Sequence, residues 1–121
     1  MSATLKNPPP VDLVFRAFAD RTRLRILHLL RSGGEVCVCD LQSVLGVPQP
    51  KVSRHLAYLR RAGLVAARKQ GLWSYYTLAA PRDALHRNLL KCLDTCFAGV
   101  PELAKDAARL KRSACGPNCC P

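Results

Sequence analysis

The stretch Gly46–Gly63 (GVPQPKVSRHLAYLRRAG) restricts what this chain can fold into more than any other. Pro50 suits a first helical position, where a missing N–H costs no intrahelical bond. Gly63 suits the left-handed cap just past a helix end. Between them Val52, Leu56 and Leu59 recur at spacings of four and three, one apolar stripe for a core. The opposite face carries Lys51, Ser53, Arg54, His55 and Arg61, with Gln49 at its start. Upstream, Asp40, Leu41, Val44 and Leu45 form a short amphipathic helix broken at Gly46-Val47-Pro48. Two short helices joined by a Gly-containing turn, the second basic, fit a helix-turn-helix whose second helix enters a DNA major groove. The same face also fits solvated charge on an ordinary core helix, and the face by itself does not choose.

A formal net charge of +11 on 121 residues weights that choice. It points to a polyanion, nucleic acid first and an anionic membrane second. The length fits one domain with a modest core, and 49% apolar residues argue against global disorder. No apolar run is long enough to span a bilayer. Residues 1–10 lack the apolar segment of a secretory signal and end in Pro8-Pro9-Pro10, a stiff lead-in, so a cytoplasmic chain is expected. In that compartment seven cysteines, an odd number, read as thiols for metal or redox work rather than as a disulfide framework.

Val11, Val14, Phe15 and Phe18 mark a first helix ending near Ala19. Asp20 caps a second, with Leu24, Ile26, Leu27, Leu29 and Leu30 as its apolar positions and Gly33-Gly34 as its stop. Arg21, Arg23, Arg25 and Arg31 read as its solvated polar side, and His28 as a partly buried structural histidine. The alternation in Glu35–Asp40 predicts a short extended segment with Cys37 and Cys39 on one side, just before a helix whose amide dipoles favour thiolates. Free cysteine is also a common small core residue. Two on one side at a helix start favour a site. After Gly63, residues 64–69 and 72–78 read as a hairpin joined at Gln70-Gly71, with Arg68, Lys69 and Gln70 as a basic tip and Trp73, Tyr75 and Tyr76 as packing residues. A helix from Pro81 to about Ala98 places Leu85, Leu89, Cys92 and Cys96 on a wide apolar face, with Leu90, Leu93 and Phe97 alongside, as helix–helix pairing between subunits requires. A last helix, Glu102–Arg112, has Leu103, Ala107 and Leu110 on one side. The organisation expected is a lead of residues 1–10, a single unit at 11–112, and an irregular Cys-rich tail at 113–121.

This order of elements resembles the ArsR/SmtB family of bacterial winged-helix repressors. The resemblance covers roughly Val11 to Leu110 and rests on FADRTRLRIL (18–27), EVCVCDL (35–41), QPKVSRHL (49–56) and QGLWSYY (70–76). It implies a mostly helical α+β fold: a winged helix-turn-helix with a two-stranded hairpin wing and a C-terminal dimerisation helix. The CVCDL segment points to the arsenic-responsive branch. There a homodimer sits on double-stranded operator DNA, blocks transcription, and loosens its hold when arsenite or antimonite binds thiolates at the start of the first helix of the pair. Carried onto this chain, the metalloid ligands are Cys37 and Cys39. Gln49, Lys51, Ser53, Arg54 and His55 contact the major groove, and Arg68, Lys69 and Gln70 the flanking DNA. No catalytic residue, catalytic cofactor or membrane contact is implied.

One position departs from the pattern: some relatives carry a third cysteine three residues after the second, where this chain has Gln42. Two sulfurs leave one coordination position of a soft trivalent ion open. Cys115, Cys119 and Cys120 in the tail are candidate further ligands, whereas Cys92 and Cys96 read as structural. The rival of the same fold is a thiol-based redox or persulfide sensor. An enzyme finds no support, since the sequence shows no phosphate-cradling loop, no catalytic triad and no Cys-x-x-Cys at a strand-to-helix turn. A DNA-binding structural protein without a ligand leaves the cysteines unexplained.

Overall fold

Local sequence signals set the ends of most elements. The order is α1 (Val11–Phe18), α2 (Arg21–Gly33), β1 (Val36–Cys37), α3 (Val38–Leu45), α4 (Gln49–Arg61), β2 (Val65–Gln70), β3 (Trp73–Leu78), α5 (Ala84–Thr95) and α6 (Pro101–Ser113), in a computed structural model that describes residues 9–97 and 99–113. The Asp20 carboxylate accepts from Arg23 N–H at 3.0 Å and caps α2. Gly46 stands in the left-handed region at φ 68° and ends α3, its N–H donating to Gln42 O at 2.9 Å. That single turn lets α4 leave at a new angle. The mostly helical α+β winged-helix architecture expected from the sequence is the one observed.

The core is built where helical apolar stripes meet. Ile26, Leu27, Leu29 and Leu30 of α2 lie at the centre with Leu41 of α3, Val52, Leu56 and Leu59 of α4, and Leu90 and Leu93 of α5. Each fully buried leucine contributes about 2 kcal/mol of apolar transfer free energy. On α1 the buried residues are Val14 and Ala17, while Val11 and Phe15, expected on its apolar stripe, are exposed. The helix is two turns long, so only one narrow line of it reaches α2.

The two-stranded hairpin wing is β2–β3, and β1 adds to it in a three-stranded sheet of order β1-β3-β2, Val36 pairing with Tyr76 and Cys37 with Tyr75. Three further expectations are corrected. The hairpin turns at Gly71-Leu72 rather than Gln70-Gly71, since Gln70 still pairs with Trp73. The α5 helix stops at Thr95, short of Ala98. The arginines of α2 are ion-paired rather than free, Arg25 buried and Arg21 and Arg31 still at the solvated surface. Arg21 reaches Glu102 at 2.7 Å, Arg25 grips both oxygens of Asp106 at 2.7 and 2.9 Å, and Arg31 grips both of Asp94 at 2.9 and 2.7 Å. These forks fasten α2 to the last two helices.

Candidate nucleic-acid interface and thiol site

The turn at Gly46 presents α4 along its length. Val52, Leu56 and Leu59 are fully buried, which turns Gln49, Lys51, Ser53 and Arg54 outward, and all four are exposed. Pro48, the N-cap, offers no side-chain cap, Pro50 has no N–H, and Lys51 N–H donates to Pro48 O at 3.0 Å, so the first turn of α4 is closed mainly by its own backbone. His55 differs from its neighbours: it is half-buried, with Nδ1 3.5 Å from Arg23 Nη1 and 3.9 Å from Asp20 Oδ2. Burial pushes its pKa below the ordinary histidine value, so it stands neutral near pH 7. Arg61, read as part of the basic face, lies over the Tyr58 ring at 5.2 Å, with Arg23 on that ring at 4.1 Å.

The wing residues also separate. Arg68 is held by Glu35 at 2.8 and 2.7 Å and by Gln70 at 2.9 Å, and its guanidinium sits 4.8 Å from the Tyr75 ring. Lys69 is exposed beside it. Glu35, Tyr58 and Arg82 are contributors that sequence reasoning missed. Arg82 donates through Nη1 to Gly63 O at 2.7 Å and thereby holds the turn that follows α4. Gly63 itself is left-handed at φ 74°, and a Cβ there would collide with that guanidinium. Arg82 N–H in turn donates to Nδ1 of the fully buried His86 at 3.1 Å, tying α4 to the first turn of α5.

The cysteine pair is more sharply placed than the alternation implied. Cys37 ends β1 and is the N-cap of α3, while Cys39 already belongs to the first helical turn. Helix therefore starts at Val38, earlier than the expected start at Asp40, because the Cys37 sulfur accepts from Cys39 N–H at 3.3 Å and takes the capping role. Both sulfurs are disulfide-bonded in the structure, against the expectation of free thiols, whereas Cys92 and Cys96 on α5 are free. Cys115, Cys119 and Cys120 fall outside the described residues.

Two connections run outward from the pair. Cys37 is paired in the sheet with Tyr75, the residue under Arg68, so the strand ending in Cys37 touches the wing. From the other side, α6 packs along α3, with Arg109 Nη1 donating to Val44 O at 3.2 Å. The end of α6 approaches β1, where Leu110 and Lys111 line a cavity of about 370 Å³ with Val36 and Asp40.

Comparison with known proteins agrees with this geometry. The family model described as "Bacterial regulatory protein, arsR family" matches residues 20–67. The "Arsenic resistance transcriptional regulator ArsR1" of Pseudomonas putida is 41% identical over 107 residues, 84% of this chain and 77% of that one. The "Arsenical resistance operon repressor" of Escherichia coli is 54% identical over 70 residues, 58% of this chain and 59% of that one. Among solved structures, HlyU from Vibrio cholerae superposes with a TM-score of 0.62 at 34% identity, covering 71% of this chain and 89% of that one.

Proposed function

This chain belongs to the ArsR family of bacterial regulatory proteins, and from that premise we propose that it is an arsenite- or antimonite-responsive transcriptional repressor. It binds operator DNA as a homodimer and lets go when a trivalent metalloid ion binds the thiolates of Cys37 and Cys39. In this reading residues 11–112 bind DNA and dimerise, and residues 113–121 form a Cys-bearing tail. The protein acts in the cytoplasm; no helix among the described residues is long and apolar enough to cross a membrane.

The observation that carries the reading is the position of Cys37. It is at once the last residue of a strand bonded to the wing and the N-cap of the first helix of the reading pair. Once reduced, Cys37 and Cys39 can close on one soft trivalent ion, which pulls on α3 and on β3 together. Gln49, Lys51, Ser53, Arg54 and His55 on α4, with Lys69, Arg68 and Gln70 on the wing, make the DNA contacts. Phosphate contacts supply affinity, and two or three side chains of α4 supply specificity. The ion acts only through a preference for the DNA-free form, and a coupling of about 3 kcal/mol lowers operator affinity roughly a hundredfold.

Two sulfurs leave a coordination position open, and a tail thiol (Cys115, Cys119 or Cys120) is the proposed third ligand. In support, the last turn of α6 lines the same cavity as Val36 and Asp40, and Cys115 follows only two residues after Ser113. The dimer pairs through the outer side of α5, where Leu85, Leu89 and Cys92 are half-buried and Cys96 is exposed, while Leu90 and Leu93 face the core. Phe97 lies at its end, and Leu89→Glu should yield a monomer.

The disulfide engagement of Cys37 and Cys39 favours a second reading, a thiol-based redox or persulfide sensor of the same fold. One titration separates the two. Operator-bound protein kept fully reduced should release DNA on adding arsenite, and Cys37→Ser/Cys39→Ser should bind DNA normally yet fail to release. Deleting residues 113–121 should reduce arsenite sensitivity if the tail supplies a ligand. Release by peroxide, reversed by dithiothreitol, with no response to arsenite would install the redox reading instead. Release of the double serine variant at the wild-type arsenite concentration would move the sensor elsewhere.

A further inference from the structure

All eight Asp and Glu side chains of the chain lie among the described residues, and every one but Asp40 either holds an arginine or caps a helix. Asp40 does neither. The Cys37 sulfur takes the cap of α3, and no cation among the described residues comes within ion-pair distance of the Asp40 carboxylate. With 19 Lys and Arg in the chain, that gap is a matter of local geometry and not of too few cations. The Asp40 side chain is half-buried and borders the cavity of about 370 Å³ enclosed by the end of α2, β1, the start of α3 and the last turns of α6. We propose that this cavity is a binding site for a small organic monocation, a primary ammonium on an apolar body, with Asp40 as its counter-ion.

The walls select that class. Val36, Ala107 and Leu110 give the cavity an apolar surface, and Val36 and Leu110 belong to the buried core. Gly33 stands where these walls meet: a Cβ there would lie 2.8 Å from Leu110 Cδ2 and 3.1 Å from Val36 Cγ2. The volume falls at the small end of ligand pockets, which run from about 300 to 1,000 Å³. Apolar walls around one carboxylate repel an anion and leave a polyol short of partners, whereas a partly desolvated carboxylate gains most from a charged donor. Its place in the first turn of α3, where the helix dipole favours negative charge, keeps that carboxylate anionic. The surroundings also limit the ligand to a single positive charge. Glu35 borders the cavity but is exposed and already held by Arg68 through two bonds. Lys111 borders it too, with no acid in ion-pair distance among the described residues, so a second ammonium would meet repulsion there. The tail cannot neutralise Asp40 in the ligand's place, because residues 113–121 contain no Lys, Arg or His.

Benzylamine is the probe, protonated at neutral pH, with benzyl alcohol as its uncharged counterpart of the same shape. Titrated into the reduced full chain without DNA or metalloid, benzylamine should bind one per protomer by calorimetry. It should shift the amide resonances of Gly33, Val36 and Leu110. Benzyl alcohol should bind about tenfold more weakly, the loss expected for one charge-assisted hydrogen bond. Asp40→Asn should bring benzylamine down to the level of the alcohol, and Ala107→Leu, which fills the cavity without changing charge, should weaken both. Equal affinity for amine and alcohol, unchanged benzylamine binding in Asp40→Asn or in Ala107→Leu, or shifts spread over other carboxylates would overturn the assignment. So would binding that appears only after residues 113–121 are deleted, which would give the cavity to the chain's own tail. Neither operator nor metalloid enters this titration, so its failure leaves the repressor reading standing, and the reverse also holds.

Discussion

The arginines of α2 and the basic residues of α4 look alike in sequence and behave as opposites in the fold. On α2 the cations are consumed internally: Arg21, Arg25 and Arg31 pair with Glu102, Asp106 and Asp94, and Arg23 donates to the carbonyls of Ala17 and Arg16 at 3.1 and 2.8 Å. On α4 no carboxylate lies within ion-pair distance of Lys51, Arg54 or Arg60 among the described residues. The net charge therefore overstates the charge offered to DNA. What distinguishes the two faces is whether the facing surface carries acids: α5 and α6 supply them to α2, and among the described residues nothing packs on the outer side of α4. Substitutions on the two helices should accordingly fail in different ways.

The largest effect belongs to α2. Asp106 is 1% exposed and the Arg25 side chain 14%, so Arg25→Met strands a buried carboxylate. Removing one partner of such a pair costs about 3 kcal/mol. Chemical denaturation should show that loss, while the folded fraction keeps wild-type operator affinity. A drop in intrinsic DNA affinity without loss of stability would break the contrast. On α4 the pattern inverts. Lys51→Ala should leave stability within about 0.5 kcal/mol. It should weaken binding to specific and random DNA alike, by about tenfold at moderate salt, and lower the salt slope by roughly one per subunit. Ser53→Ala or His55→Gln should instead change which sequence is preferred. Equal loss on specific and random DNA for all three would refute their division of labour.

Histidines sharpen the same contrast at smaller amplitude. Burial lowers the pKa of His86, so the folded state binds fewer protons than the unfolded state below about pH 6.5. Stability is then fully present above that pH and declines as pH falls through it, because protonation removes the Nδ1 acceptor that holds Arg82 N–H. His86→Gln should flatten the slope of stability against pH between about 7 and 5.5. His55, half-buried and lowered in the same direction, should contribute less to that slope.

How much of this was legible beforehand follows the range of each interaction. The Asp20 cap, the breaks at Gly34, Gly46 and Gly63 and the apolar stripe of α4 depend on residues within one or two turns, and sequence spacing located them. The outward placement of Gln49, Lys51, Ser53 and Arg54 followed from that stripe alone. Non-local pairings were not visible. β1 is two residues long and exists only because β3 pairs with it, and Arg21 and Arg25 find their acids 81 residues away. Cys37 as an N-cap was hidden for another reason. Sulfur is an unusual capping acceptor, so the usual Ser, Thr, Asp and Asn signal pointed to Asp40 instead.

The smallest effect tests whether the wing belongs with α2 or with α4. Arg68 has the sequence context of a DNA-contacting residue and the partners of a structural one, with Glu35 holding it through two bonds. That pair holds the Glu35 carboxyl below its ordinary range, yet both side chains stay partly exposed, at 49% for Arg68 and 38% for Glu35. Exposed pairs of this kind are screened by salt and exchange readily with phosphate. Glu35→Gln should therefore release Arg68 toward DNA and remove a negative charge beside the wing, raising affinity for random DNA by about twofold at low salt. The gain should vanish at high salt and in the Glu35→Gln/Arg68→Gln double variant. Lys69→Gln should lower affinity in either background. If Glu35→Gln instead weakens binding, the pair fixes the wing's direction rather than withholding a cation, and Arg68 sides with the arginines of α2.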